Sequence, residues 1–308
     1  MSSTHFLYLI LLGAIWGGSF LFTRIGIADL GTSWLVMLRV FLGASFLLLA
    51  ALALRRNLGL REHWRHWVFL GAMNTAVPFL LFAYGAHELS ASLLSIINST
   101  APMWGVAIGA VLVRGLPGRR EIAGLAVGSI GVTLLVLRDP SALQASSALP
   151  VFSALLAPLC YGMSSHYARR FTSQLPPFSV ALGSQWAAVL CVLPLLAFSG
   201  PPAIGSFTAV PVGTWWAALA LGVLCTGIAY LIFFKLIREI GAPSTLTVTF
   251  LIPLFGILWG AIFLGEPVSP GTFVGAACVL LGTAWVTGFS PTRLWQKRRA
   301  APVVVPPA

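Results

Sequence analysis

Residues 86–115 read AHELSASLLSIINSTAPMWGVAIGAVLVRG, and residues 237–266 read IREIGAPSTLTVTFLIPLFGILWGAIFLGE. Laid over one another they pair Glu88 with Glu239, Ala91 with Ala242, Pro102 with Pro253, Gly105 with Gly256 and Gly109 with Gly260, all at one offset (253 − 102 = 151). The register continues outward. Leu70-Gly71 returns as Leu221-Gly222, Thr75 as Thr226, and Gly124 and Gly131 as Gly275 and Gly282. Of the nine glycines from Gly71 to Gly131, five find a glycine partner; with 31 glycines in 308 residues, chance supplies about one. The chain therefore contains two copies of one unit.

The composition says where that unit lives. Hydrophobic residues make up 58% of the chain and charged ones 8%, against about 25% charged in a soluble domain. Mean hydropathy is +0.94. A helix needs about 20 apolar residues to cross a bilayer. Ten runs approach that length: 5–24, 34–54, 66–85, 92–113 and 121–137, then 150–168, 178–198, 213–234, 244–264 and 271–289. They are continuous and lack the alternation of barrel strands, so helices are expected. Five crossings per copy is an odd number, which turns the second copy upside down in the membrane. The expected fold is an all-helical integral membrane protein of ten spans, arranged as two inverted five-helix repeats. It forms a single transmembrane domain over 1–290, with repeats at about 5–137 and 150–289 and a basic, then Pro/Val-rich cytoplasmic tail at 291–308. Inverted repeats of this kind build secondary transporters, with the solute site near the midplane between the halves.

Charge placement sets the orientation. With a cytoplasmic N-terminus, 15 of the 18 Lys and Arg residues fall in inside loops or the tail. By the positive-inside rule both termini are expected in the cytoplasm. The net charge of +11 is scattered between apolar runs, so it is a topology signal and not a nucleic-acid surface. The first run lacks a basic n-region and returns as a repeat element, so it is read as a retained span and not a signal peptide. Cys160, Cys191, Cys225 and Cys278 all sit inside apolar runs without metal-ligand spacing and read as packing residues.

All seven acids lie in connections or near span ends, so no span carries a mid-membrane carboxylate. This weakens proton or sodium coupling through Asp or Glu, because an intramembrane acid is the usual coupling site. Arg39 is the one basic residue well inside a span. Either it attracts a substrate carboxylate, or it snorkels or caps carbonyls of a neighbouring helix; the second reading is preferred. Ser95, Asn98 and Pro102 share one helix face at i, i+3 and i+7. Their repeat partners are Leu246, Thr249 and Pro253, with Ser244 and Thr245 close by. Pro78, Pro102 and Pro253 each remove a helical hydrogen bond, which is tolerated where helices pack or line a watery cavity; they are the candidate kink or gating positions. Trp16 and Tyr161, partners at an offset of 145 (161 − 16), lie deep in spans one and six, as does Trp104 in span four. They are candidates for an apolar wall. Asn74 in span three and His166 in span six complete the polar candidates. Small residues at GxxxG spacing, such as Gly124/Gly128 and Gly256/Gly260, read as close helix packing.

The ten-span 5+5 pattern, together with IWGGSFLFTR (15–24), MLRVFLGA (37–44) and the two stretches quoted at the outset, resembles the EamA family of the drug/metabolite transporter superfamily. The resemblance covers roughly residues 5–289, and within the family it points to YddG-type amino-acid exporters. The second copy carries LGE at 264–266, whereas the first has Arg114-Gly115 at the equivalent place. The resemblance implies a basket of helices in a bacterial inner membrane. Its central cavity would be lined by spans one, three, four, six, eight and nine, where Trp16, Asn74, Asn98, Trp104, Tyr161, His166, Ser244 and Thr249 lie; this disfavours Arg39 in span two. The expected function is export of amino acids and related metabolites by alternating access, with broad specificity. Efflux of organic cations is the alternative, and a membrane-embedded enzyme or a channel a remote one. No catalytic residue, cofactor or metal is expected. The expected partners are a small-molecule solute and membrane lipid, without nucleic acid or an obligate protein partner.

Overall fold

A computed structural model describes residues 3–55 and 62–288. All regular structure among them is helical, as a bilayer requires of a chain that must satisfy its backbone internally without closing a barrel. In chain order the principal helices are α1 (Ser3–Ala53), α2 (Trp64–Gly85), α3 (Ala91–Leu112), α4 (Arg119–Arg138), α5 (Leu149–Phe171), α6 (Pro177–Ser199), α7 (Val212–Ile240), α8 (Leu246–Leu264) and α9 (Pro270–Val286). Among the described residues, seven helices are long and apolar enough to cross a membrane. The ten runs read from the sequence distribute over these nine helices. Runs 5–24 and 34–54 both fall in α1, whose 51 residues would measure about 77 Å if straight. It is not straight: Gly31 adopts φ 74, ψ 171, a backbone shape open to glycine alone, and breaks the helix between the two runs. Helix α5 is long enough but is diluted by Ser153, Ser164, Ser165 and His166, and is not among the seven. Helix α9 has 17 residues and stops before Gly288, at φ 67, short of the expected end at 289, which lies outside the described residues.

Local chemistry explains the helix ends. The Ser90 hydroxyl accepts from the Leu93 N–H at the start of α3, and the Ser269 hydroxyl accepts from Thr272 N–H before Pro270 opens α9. Gly265 closes α8 in the left-handed conformation. The core is densest around the first turns of α3, where Leu93, Leu94, Ile96 and Ile97 are fully buried. Large apolar side chains such as Val111 and Phe198 point outward, as expected of surfaces facing lipid tails.

Packing follows the repeat. A methyl group built on Gly17 of α1 would meet the Gly256 N–H of α8 at 2.9 Å, and one on Gly162 of α5 would meet the Gly105 N–H of α3 at 3.0 Å. Gly105 and Gly256 are repeat partners at 151, and Gly17 and Gly162 at 145. Likewise Gly71 of α2 lies against Ser184 and Ala188 of α6, while its partner Gly222 of α7 lies against Arg39 and Gly43 of α1. Helices α4 and α9 meet reciprocally: Gly124 abuts Gly282, and Gly131 abuts Gly275. One sequence rises while the other falls, so α4 and α9 run antiparallel at this contact. The absence of side chains lets the backbones touch.

Irregular helix also recurs at matching places. Residues Ala72–Ala76 of α2 and Ala220–Ile228 of α7 are π-helical. Helix α3 is two helices, Ala91–Asn98 and Ala101–Leu112, and α8 begins as a 3₁₀ segment, Leu246–Phe250. Both breaks precede the prolines of the repeat. Pro102 has no N–H for the Asn98 carbonyl, and Pro253 none for Thr249.

Candidate functional site

These irregular segments surround a cavity of about 900 Å³. At one end it reaches exposed residues Val113, Gly115, Leu116 and Arg169. At the other it stops at Thr23, Leu35, Val36 and Ala83, all buried. The closed end is aromatic: Phe20 meets Phe82 edge-on with centroids 5.4 Å apart, and Phe82 lies 6.5 Å from Tyr161. Beyond it Arg24 donates to the Ala86 and His87 carbonyls at 2.5 and 3.1 Å, and Thr32 Oγ1 lies 3.1 Å from His87 Nε2. Burial, then the Arg24 charge, hold the His87 imidazole below its ordinary pKa, with Glu88 opposing weakly. The Glu88 carboxylate is itself held low by the Ser146 hydroxyl and N–H.

The π segments shape the walls. An i→i+5 turn accommodates one extra residue and displaces backbone groups from the regular ladder. In α2 this places Asn74 on the cavity, its Oδ1 accepting from the Ser164 hydroxyl at 2.9 Å. In α7 the Cys225 carbonyl accepts the Trp16 indole N–H at 3.2 Å, and the Cys225 thiol donates to Ile15 O at 3.2 Å. At the break in α3, the Ser99 and Thr100 hydroxyls turn back onto the Ile96 and Ile97 carbonyls, each at 2.7 Å, and Thr283 donates to Ser99 O at 3.1 Å. His166 Nε2 lies 2.6 Å from the Gly105 carbonyl, so the ring donates there. The Glu266 carboxylate crosses from the second copy to the first. It accepts from Ala91 N–H at 2.6 Å, Ser92 N–H at 3.0 Å and Ser92 Oγ at 2.6 Å, capping α3. The position equivalent to Ser92 is Pro243, which has no N–H. The missing LGE in the first copy therefore matches a missing donor in the second.

Arg39 also lines the cavity. Its guanidinium carbon stands 3.6 Å from the Phe79 ring centroid, and its buried Nε has no hydrogen-bond partner. It caps no carbonyl among the described residues, so the capping half of the preferred sequence reading does not hold. An unpaired charge at the centre of a spanning helix costs about 2.5–3.5 kcal/mol on insertion scales. A desolvated cation–π contact offsets about 2 of that. The titratable groups around it are the Cys225 thiol and the Tyr161 and Tyr230 phenols, with no carboxylate.

A family model, the EamA-like transporter family, matches residues 4–137 and 148–288. The chain belongs to the EamA-like transporter family. The two matched segments coincide with the two sequence copies. This EamA-like chain is 25% identical over 297 residues to a probable terminal-alkyne amino-acid exporter of Streptantibioticus cattleyicolor, covering 95% of each chain. It is 22% identical over 274 residues to the uncharacterized transporter YoaV of Bacillus subtilis, covering 87% of this chain and 91% of that one. A solved crystal structure at 19% identity superposes with TM-score 0.62 over 98% of this chain and 100% of its own, which shows a shared fold. The protein is thus a multi-pass membrane transporter and not an enzyme.

Within this EamA-like fold the cavity gathers Trp16, Asn74, Asn98, Pro102, Tyr161, His166 and Thr249. It does not gather the other candidates. Trp104 packs where Gly162 approaches it, Ser244 offers its carbonyl to Thr247 at 2.7 Å, and Pro78 and Pro253 are buried inside α2 and α8 after their irregular segments. The sequence reading set Arg39 aside and did not single out Phe79 or Tyr230. A lone arginine in an apolar run is a signal, but a family-level expectation about span two outweighed it. The aromatics resemble any core aromatic, and nothing in their spacing marks them.

Proposed function

We propose that the chain is a secondary transporter exporting amino acids and related small metabolites by alternating access. Ten crossings in two inverted five-helix copies would carry out the exchange. The observation that carries the reading is the one-ended cavity at the broken and π-helical segments of both copies. Alternating access requires a site reached from one side at a time, and repeat-related irregular helices are where a rocking motion can bend. The volume of about 900 Å³ is near the upper end for small-molecule sites and supports broad specificity. The open mouth lies beside Arg114, Arg119, Arg169 and Arg170, the cytoplasmic side by the positive-inside rule. The arrangement therefore corresponds to a state loading solute from the cytoplasm, with both termini on that side of the bacterial inner membrane. The aromatic wall and hydrogen-bonding groups suit an amino acid, and the printed name of the Streptantibioticus relative supports the same class.

The test is uptake of a radiolabelled amino-acid panel into liposomes containing the purified protein, with and without a pH gradient and with unlabelled competitors. Saturable, competed uptake reduced by Asn98→Ala or Tyr161→Ala is expected. Indifference to the gradient is also expected, since the only carboxylate lining the cavity among the described residues, Glu121, is bonded to Gly118 N–H at 2.7 Å near the mouth. Absence of uptake for every amino acid would overturn the substrate class.

A further inference from the structure

We propose that Arg39 is the anchor for a carboxylate of the transported solute, and that the solute's amino group is not recognised by charge. This deepens the transporter reading and rests on it. The interior of the cavity holds one fixed positive charge and no negative one among the described residues. Arg39 lines it, with Arg169 and Glu121 together near the open end. One face of the guanidinium is occupied by the Phe79 ring at 3.6 Å, and the buried Nε has no partner. Stacking engages the face of the plane and leaves its edge, where five N–H donors lie in a fork that matches a carboxylate. Fixed anions that would normally occupy that fork are missing, because its charged and titratable surroundings are Tyr161, Tyr230 and Cys225.

The neighbouring polar groups tell the same story. Asn74 receives Ser164 Oγ on its side-chain oxygen, and the described hydrogen bonds leave its NH2 group free as a further donor. The Cys225 carbonyl, on a residue that lines the cavity, already receives the Trp16 indole. The cavity thus presents the free Asn74 NH2 group beside an unmatched cation, enclosed by Phe20, Phe79, Phe82 and Trp16. A monocarboxylate with an aromatic or apolar body satisfies both features. An ammonium group finds no anionic partner near Arg39, so its presence is permitted and not required. An amine without a carboxylate is repelled.

The experiment is isothermal titration of the full-length protein in detergent with three probes: phenylalanine, 3-phenylpropionate, which lacks the amine, and 2-phenylethylamine, which lacks the carboxylate. Both acids should bind, with the amine at least tenfold weaker. Arg39→Gln should weaken both acids at least tenfold without weakening the amine, and Arg39→Lys should fall between. Equal binding of the amine, no binding of either acid, or full acid affinity in a well-folded Arg39→Gln protein would overturn the proposal. If Arg39→Gln does not fold, the charge-keeping Arg39→Lys tests the anchor, and the wild-type panel tests the preference for a carboxylate. Uptake of the same probes into liposomes separates the two readings. Acid binding without uptake would overturn the transporter reading and leave the anchor standing. Uptake that prefers 2-phenylethylamine would do the reverse.

Discussion

At the residue scale, a few polar side chains hold the two copies to each other. The Glu266 carboxylate takes three donors from the start of α3. Glu266→Ala leaves those groups without their acceptor and is expected to destabilise by about 1–3 kcal/mol, seen as a fall of several degrees in the thermal unfolding temperature of the detergent-solubilised protein. His87 gives a pH dependence. Its folded-state pKa is lowered by burial and by Arg24, so the unfolded chain binds more protons between the lowered value and the ordinary one near 6.5. Stability therefore rises with pH through that window and is lost on acidification below about pH 6.5. The Glu88 shift acts in the same direction at lower pH, since a carboxylate held low contributes stability that disappears as it is protonated. Unfolding temperatures between pH 5 and 8 should slope upward in the wild type, and His87→Gln should flatten the upper part of that slope. An unchanged slope in His87→Gln would remove His87 as its source.

At the scale of elements, the decisive features are places where helices touch or fail to be regular. The α4–α9 contact has no room for side chains. A Cβ on Gly131 would stand 2.8 Å from Cys278 Cβ and 2.8 Å from the Gly275 carbonyl oxygen. Gly131→Leu is expected to destabilise by more than the 1–3 kcal/mol typical of overpacking, read as loss of a monodisperse peak in gel filtration. Gly213→Ala, in a helix and with nothing within 4 Å of the added methyl, should leave the unfolding temperature unchanged or slightly raised. The sequence made much of this readable. Apolar runs placed the helices because a bilayer allows few alternatives, and the glycine register pointed to the tight contacts because only glycine permits them. The π segments around Asn74 and Cys225 were not readable. An extra residue in a turn leaves no mark when every neighbour is apolar, and its cause is tertiary packing. The break in α3 was half readable: Pro102 announced a lost hydrogen bond, but the turn at Ser99 and Thr100 depends on Thr283 reaching across from α9. Arg39 was visible as a charge, but whether it met a carbonyl or a cavity depended on Phe79 and on the packing of α1 against α2 and α7, which no local pattern encodes.

At the scale of the molecule, the cavity makes the protein one-sided. Leu116 is 94% exposed at the mouth, whereas Thr23 is 6% exposed at the closed end. In a cysteine-free background, Leu116→Cys should react with a membrane-impermeant maleimide added from the cytoplasmic side, and Thr23→Cys should resist the reagent from the opposite side until solute is supplied. Rapid labelling of Thr23→Cys without solute would contradict the closed end. The reciprocal glycine contact carries a last consequence. Gly124 meets Gly282, the repeat counterpart of Gly131, and Gly131 meets Gly275, the counterpart of Gly124. A surface that fits its own duplicate in this crossed fashion fits itself under a two-fold rotation, which is the rule of isologous dimers. A polypeptide half as long, carrying one such ridge, would need no new surface to associate with a second copy inserted in the opposite sense.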